Sequence, residues 1–191
     1  MDVQYQSNVG VMADKAWPQT GMARNIILML AGSWLIAMTA QIALPIGPVP
    51  ITGQTFGVLL IAALLGSRLG AGSVVAYLIQ GAMGLPFFAG GMAGTAVFAG
   101  PTAGYLIGFI AAAFVVGWLA ERGWDRTPAR TVAMMLLGTA VIYAFGLIWL
   151  STFTGWANVL TLGMVPFLPG DILKVMLAAV MLPTGWKLLG R

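Results

Sequence analysis

The chain has 191 residues, of which 60% are hydrophobic and only 7% charged, against roughly 25% charged in soluble domains. It contains no Cys and no His, which removes disulfides, thiolate nucleophiles, imidazole bases and the usual zinc ligands. The net charge of +4 does not point to nucleic acid, because the cations sit at the ends of apolar segments and form no continuous basic face.

A helix needs about 20 apolar residues to cross a hydrocarbon layer of roughly 30 Å, and several such windows follow one another along the chain. Residues 1–23 are mixed and polar and lack the basic, apolar and small-residue order of a signal peptide. They read as a partly disordered N-terminal tail ahead of a single transmembrane domain over 24–191. The first span is predicted over 24–45 and is stopped by Pro45 and the turn "PIGPVP". The second, 52–67, is short, so its entry "PVPITGQT" is a candidate non-helical cavity wall. "SRLG" turns the chain into a third span, 69–85, and the glycine-rich stretch "GLPFFAGGMAGTAVFAGPTAG" leads to a fourth at 101–120. The charged loop "ERGWDRTPAR" precedes a fifth span at 131–153. An uncharged aromatic connector, 154–168, precedes the sixth at 170–189.

The expected architecture is therefore all-α, with six transmembrane helices and both termini on one side. Lys15, Arg24, Arg68, Arg122, Arg126, Arg130, Lys187 and Arg191 all fall on the terminus side and no Lys or Arg falls in the opposite loops. The positive-inside rule then makes the termini cytoplasmic. The three outer loops carry no charge before Asp171, and loops that neutral are expected to fold back and line a cavity.

Gly100, Gly104, Gly108 and Ala112 recur every four residues, a spacing that lets helix backbones approach closely. Ser33 and Ala37 on the first span make a similar pair, whose partner is either internal or another subunit. Trp149, Trp156, Trp186 and Tyr105 lie near predicted span ends and are expected as interfacial anchors. Gly90, Gly91 and Gly94 in "FFAGGMAG" leave backbone N–H groups uncovered, which suits either a lid over a ligand or a plain turn.

Two charges stand at the mouth of the sixth span. Asp171 follows Pro169-Gly170, where an acid can cap a helix. Lys174 at the same end opposes the helix dipole by a few tenths to about 1 kcal/mol, so something else must favour it. The i, i+3 spacing lets the two pair, either as a structural ion pair or as one acceptor and one donor for a small ligand with N–H and carbonyl or carboxylate groups. No serine is placed by an elbow motif beside Lys174, and no Walker motif occurs. The chain therefore reads as a non-enzyme that cannot itself use ATP.

The segments "GPVPITGQTFGVLL", "GSRLGAGSVVAYLIQGAMGLPFFAGG", "GPTAGYLIGF" and "PFLPGDILK" together resemble the BioY family over about residues 24–190. These are the biotin-specific substrate-binding subunits, or S components, of energy-coupling factor (ECF) vitamin transporters. The resemblance implies a six-helix subunit of the bacterial cytoplasmic membrane that captures biotin from outside. Its implied partners are a transmembrane coupling subunit and cytoplasmic ATPase subunits. It implies no cofactor, biotin being the cargo and ATP being used only by partners, although some members are thought to work without a dedicated coupling module.

The family's "PGDxxK" Asp and Lys fall on Asp171 and Lys174. Asp171 would accept from the ureido N–H, and Lys174 would donate either to the ureido carbonyl or to the valerate carboxylate. The family's closing loop falls on Gly90 and Gly91, with Met92 standing where some relatives carry Asn. Gln54 and Tyr105 are secondary candidates by position. Ser33 and Ala37 match the surface that usually meets the coupling subunit. The rival readings are a sister subunit for another small vitamin and a structural membrane subunit without a ligand.

Overall fold

The computed structural model describes residues 10–190. A short helix α1 (Met12–Ala16) precedes α2 (Met22–Ala40), a two-stranded antiparallel ribbon β1 (Ala43–Leu44) and β2 (Ile51–Thr52), and α3 (Gln54–Ala82). Two single 3₁₀ turns follow, and then α4 (Ala103–Ala120), α5 (Pro128–Thr154), α6 (Val159–Gly163) and α7 (Leu168–Leu189). Among the described residues, five helical stretches are long and apolar enough to cross a membrane.

The sixth crossing is hidden inside α3. Gly66 has φ 84° and ψ 179°, a conformation essentially reserved for glycine, and it breaks α3 into arms 54–65 and 67–82. The arms fold back on each other. A Cβ placed on Gly70 would lie 2.7 Å from Ala62 Cα, and the Gln54 side chain donates to the Tyr77 hydroxyl, although these last two residues would be about 34 Å apart along one straight helix at 1.5 Å per residue. The six-helix expectation therefore stands, but the turn falls one residue earlier than "SRLG", which already belongs to the second arm.

Glu121, at the end of α4, accepts from the Ser67 backbone N–H at 2.7 Å and from its hydroxyl at 2.8 Å. It thereby supplies an acid to the open N-terminus of the second arm. Gly117 lets α4 reach this corner, since a Cβ there would meet Gly66 O at 2.6 Å. Farther along α4, Cβ atoms on Gly104 and Gly108 would crowd Phe145 O at 2.6 Å and Ile142 Cα at 3.2 Å on α5, so the small-residue stripe is a helix-packing seam. Gly100 is not part of it, because it precedes the helix and a Cβ there would meet only Val97 O at 3.4 Å.

Of the predicted tail, residues 1–9 lie outside the described residues, and the remainder is more ordered than expected. Val11 and Met12 are buried in the apolar core. Arg24 reaches back to Ala13 O at 2.8 Å and Asp14 Oδ1 at 3.0 Å. Trp186 and Tyr105 are not simple interfacial anchors. The Trp186 indole donates to the fully buried Asp125 at 2.5 Å, and its ring lies under the Arg126 guanidinium. Tyr105 is buried against Gly146 and donates to Gly163 O at 2.8 Å. Asp14, Gly66, Glu121, Asp125 and the end of α7 thus gather at one end of the bundle.

Candidate functional site

The other end holds a cavity walled by residues 49–55, which include part of β2 and the start of α3, by residues 88–97, and by α4, α5 and α7. Its apolar lining includes Phe88, Leu106, Phe109, Ile142 and Phe167. Part of its polar lining is joined by hydrogen bonds. On α7, Asp171 and Lys174 pair at 3.2 Å, with only 11% and 17% of their side chains exposed.

Each member of the pair has a second partner from another helix. Lys174 Nζ donates to Thr55 Oγ1 at 2.8 Å, and the Tyr143 hydroxyl donates to Asp171 Oδ2. Thr55 stands in the first turn of α3, where the helix begins beside the ribbon. Tyr143 shares a face of α5 with Thr139, one turn earlier at i−4, and both line the cavity together with Ile142. A lone charge in hydrocarbon costs about 2.5 to 3.5 kcal/mol on insertion scales, so this bracing explains how two charges persist among apolar helices.

Asp171 stands in the first turn, as the sequence had suggested, but it does not cap the helix. The helix starts at Leu168 and has no side-chain cap, and Asp171 points its oxygens at Lys174 and Tyr143. Lys174 falls in the second turn, beyond the reach of the dipole penalty, which fades within the first.

Gln54 also lines the cavity, held by Thr52, whose hydroxyl donates to Gln54 Oε1 at 3.1 Å, and by Tyr77. Tyr105 lines it with its ring while its hydroxyl is engaged with Gly163 O. In the glycine-rich segment, Met92 and Ala89 reach the cavity but Gly90 and Gly91 do not line it. Those two glycines are exposed, with φ of 65° and 80° and open space around both. The entry "PVPITGQT" does form part of the wall, through Val49, Pro50, Thr52, Gln54 and Thr55.

Ser33 and Ala37 require a correction, because both are turned into the bundle. Ser33 is fully buried and accepts from Gln80 Nε2 at 2.9 Å, and Ala37 is 6% exposed. Their small size serves packing inside the chain, which removes them from any surface that a second protein could touch. Thr139 and Tyr143 are cavity-lining residues that sequence reasoning missed, and Thr55 fell in the predicted wall segment without being singled out. The available signal was Thr139 and Tyr143 at i, i+4 within an otherwise apolar span.

A mainly apolar cavity holding one braced ion pair, set in a bundle of membrane-length helices, defines a multi-pass membrane protein with a pocket of the kind that small ligands occupy. Residues 9–191 match the model of the BioY family, and the chain belongs to that family. It is 40% identical over 154 residues to a biotin transporter BioY of Rhizobium etli, covering 76% of this chain and 82% of that one. It is 42% identical over 147 residues to a biotin transporter BioY of Thermotoga maritima, covering 76% and 86%. Its fold is similar to a crystal structure described as the S-component for biotin from an ECF-type ABC transporter. That match has a TM-score of 0.74 and 28% identity, and covers 86% of this chain and 92% of that one.

Proposed function

We infer that the protein binds biotin as the substrate-binding subunit of an ECF-type vitamin transporter and takes part in its uptake. The observation that carries this reading is the Asp171–Lys174 pair, set in an otherwise largely apolar cavity. The pair offers an acceptor beside a donor, which suits the N–H and carbonyl edge of a ureido ring, while the apolar lining suits the rest of the molecule. Asp171, Lys174 and Gln54 are assigned to polar contacts, Tyr105 and Met92 to the wall, and Gly90 and Gly91 to the movable segment above it.

We place the protein in the bacterial cytoplasmic membrane with its termini in the cytoplasm, which matches the concentration of cations at the end opposite the cavity. Biotin then enters from the outer side. Import is driven by a transmembrane coupling subunit and ATPase subunits, since the chain carries no nucleotide motif of its own. On α2 the surface left for such a partner consists of outward residues such as Leu30, Trp34 and Met38, all exposed.

A thermal-shift screen of the purified protein tests the ligand. Biotin at a hundredfold excess over Kd is expected to add about 2.7 kcal/mol of stability. A cationic vitamin such as thiamine, repelled by Lys174, is expected to add none. No shift with biotin alongside a shift with another vitamin overturns the reading.

A further inference from the structure

The hydrogen-bond bookkeeping of the ion pair assigns roles to two residues beyond it. A lysine ammonium has three N–H donors. Lys174 aims one at Asp171 Oδ1 and one at Thr55 Oγ1, which leaves a single donor for anything in the cavity. Asp171 has each oxygen engaged once, Oδ1 by Lys174 and Oδ2 by Tyr143, so each retains lone-pair capacity. The two braces come from different helices and both line the same cavity. Without Thr55, the long lysine stem regains rotamers and the remaining donor loses its aim. Without Tyr143, the carboxylate can rotate about its terminal torsion.

We propose that Thr55 and Tyr143 are positioning residues that fix the free donor of Lys174 and the free acceptor of Asp171 in the geometry a cyclic urea requires. This rests on the biotin reading above. It assigns specificity to hydroxyls on α3 and α5 that hold the charged pair from the side.

The test is a titration of biotin into purified protein carrying Thr55→Val, Thr55→Ser or Tyr143→Phe, with unliganded melting temperature measured alongside. Thr55→Val is nearly isosteric and Tyr143→Phe keeps the ring, so each removes little but a hydroxyl. Each is expected to weaken binding about tenfold, the scale of one hydrogen bond to a charged group. Thr55→Ser restores most of the loss. Placed on a Lys174→Ala background, Thr55→Val has no further effect on affinity, because the group it aims is gone. A merely structural threonine would cost the same in both backgrounds.

Wild-type affinity in both Thr55→Val and Tyr143→Phe overturns this inference alone. An equal loss from Thr55→Val with and without Lys174 does the same. Absence of biotin binding by the unaltered protein overturns the biotin reading and this inference with it. If Thr55→Val does not fold, Tyr143→Phe and its combination with Asp171→Asn carry the same comparison.

Discussion

Lys174 shows how a single residue can be noticed for one reason and explained by another. Its charge stands out in an apolar span, but its support comes from Thr55, which is 119 positions away. Asp171 and Lys174 were legible because charges are rare in membrane helices. Tyr143 was not, and Thr55 was legible only as part of the wall segment "PVPITGQT", since nothing in the spacing separates a hydroxyl facing a cavity from one facing a neighbour. Asp125 was missed in the same way: it lies in the charged loop "ERGWDRTPAR", yet it is fully buried against Trp186. Burial raises its pKa above the ordinary 3.8, outweighing the Trp186 hydrogen bond and the nearby Arg126 charge. An acid whose folded pKa is raised contributes stability that is present below its unfolded pKa and lost as pH rises through the folded value. Melting temperature measured across the acid range should therefore fall as pH climbs above about 3.8, and Asp125→Asn should flatten that slope.

The elements were legible in number and order, and their errors have physical causes. The turn into the third crossing is expected at "SRLG", one residue too late. The chain instead reverses at Gly66, whose backbone no other residue adopts cheaply. Gly66→Ala is expected to cost about 1–3 kcal/mol from backbone strain alone, read as a lowered melting temperature in detergent, and more if the new methyl displaces the Glu121 carboxylate that lies 2.7 Å from its position. The glycine stripe on α4 supplies a paired comparison. Gly104→Ala should destabilise the α4–α5 seam markedly, whereas Gly100→Ala should be nearly neutral, because Gly100 has an ordinary φ of −85° and room for a methyl group. Equal melting temperatures for these two variants would contradict the seam. Ser33 and Ala37 carry the same spacing as that stripe. Their misassignment to a partner surface shows that small residues mark close packing without saying whether the neighbour is inside or outside the chain.

For the whole molecule, the two ends of the bundle divide the work. One end is closed by Glu121 on Ser67, Arg24 on Asp14 and Trp186 on Asp125, so its acids are consumed by the protein's own helices. The other end keeps its single ion pair facing a chamber, with neutral loops above. This division was visible in the sequence as a contrast between charged and uncharged loops. The chamber itself was not, because it forms only when α3, α5 and α7 converge, with Thr55 and Lys174 meeting from 119 positions apart. The account's central claim is that biotin occupies this chamber through the charged pair, and titration of biotin into Asp171→Asn and Lys174→Ala tests it most directly. The prediction is that each variant stays folded and loses at least about tenfold in affinity, corresponding to about 1.4 kcal/mol or more. Unchanged affinity in both would contradict it.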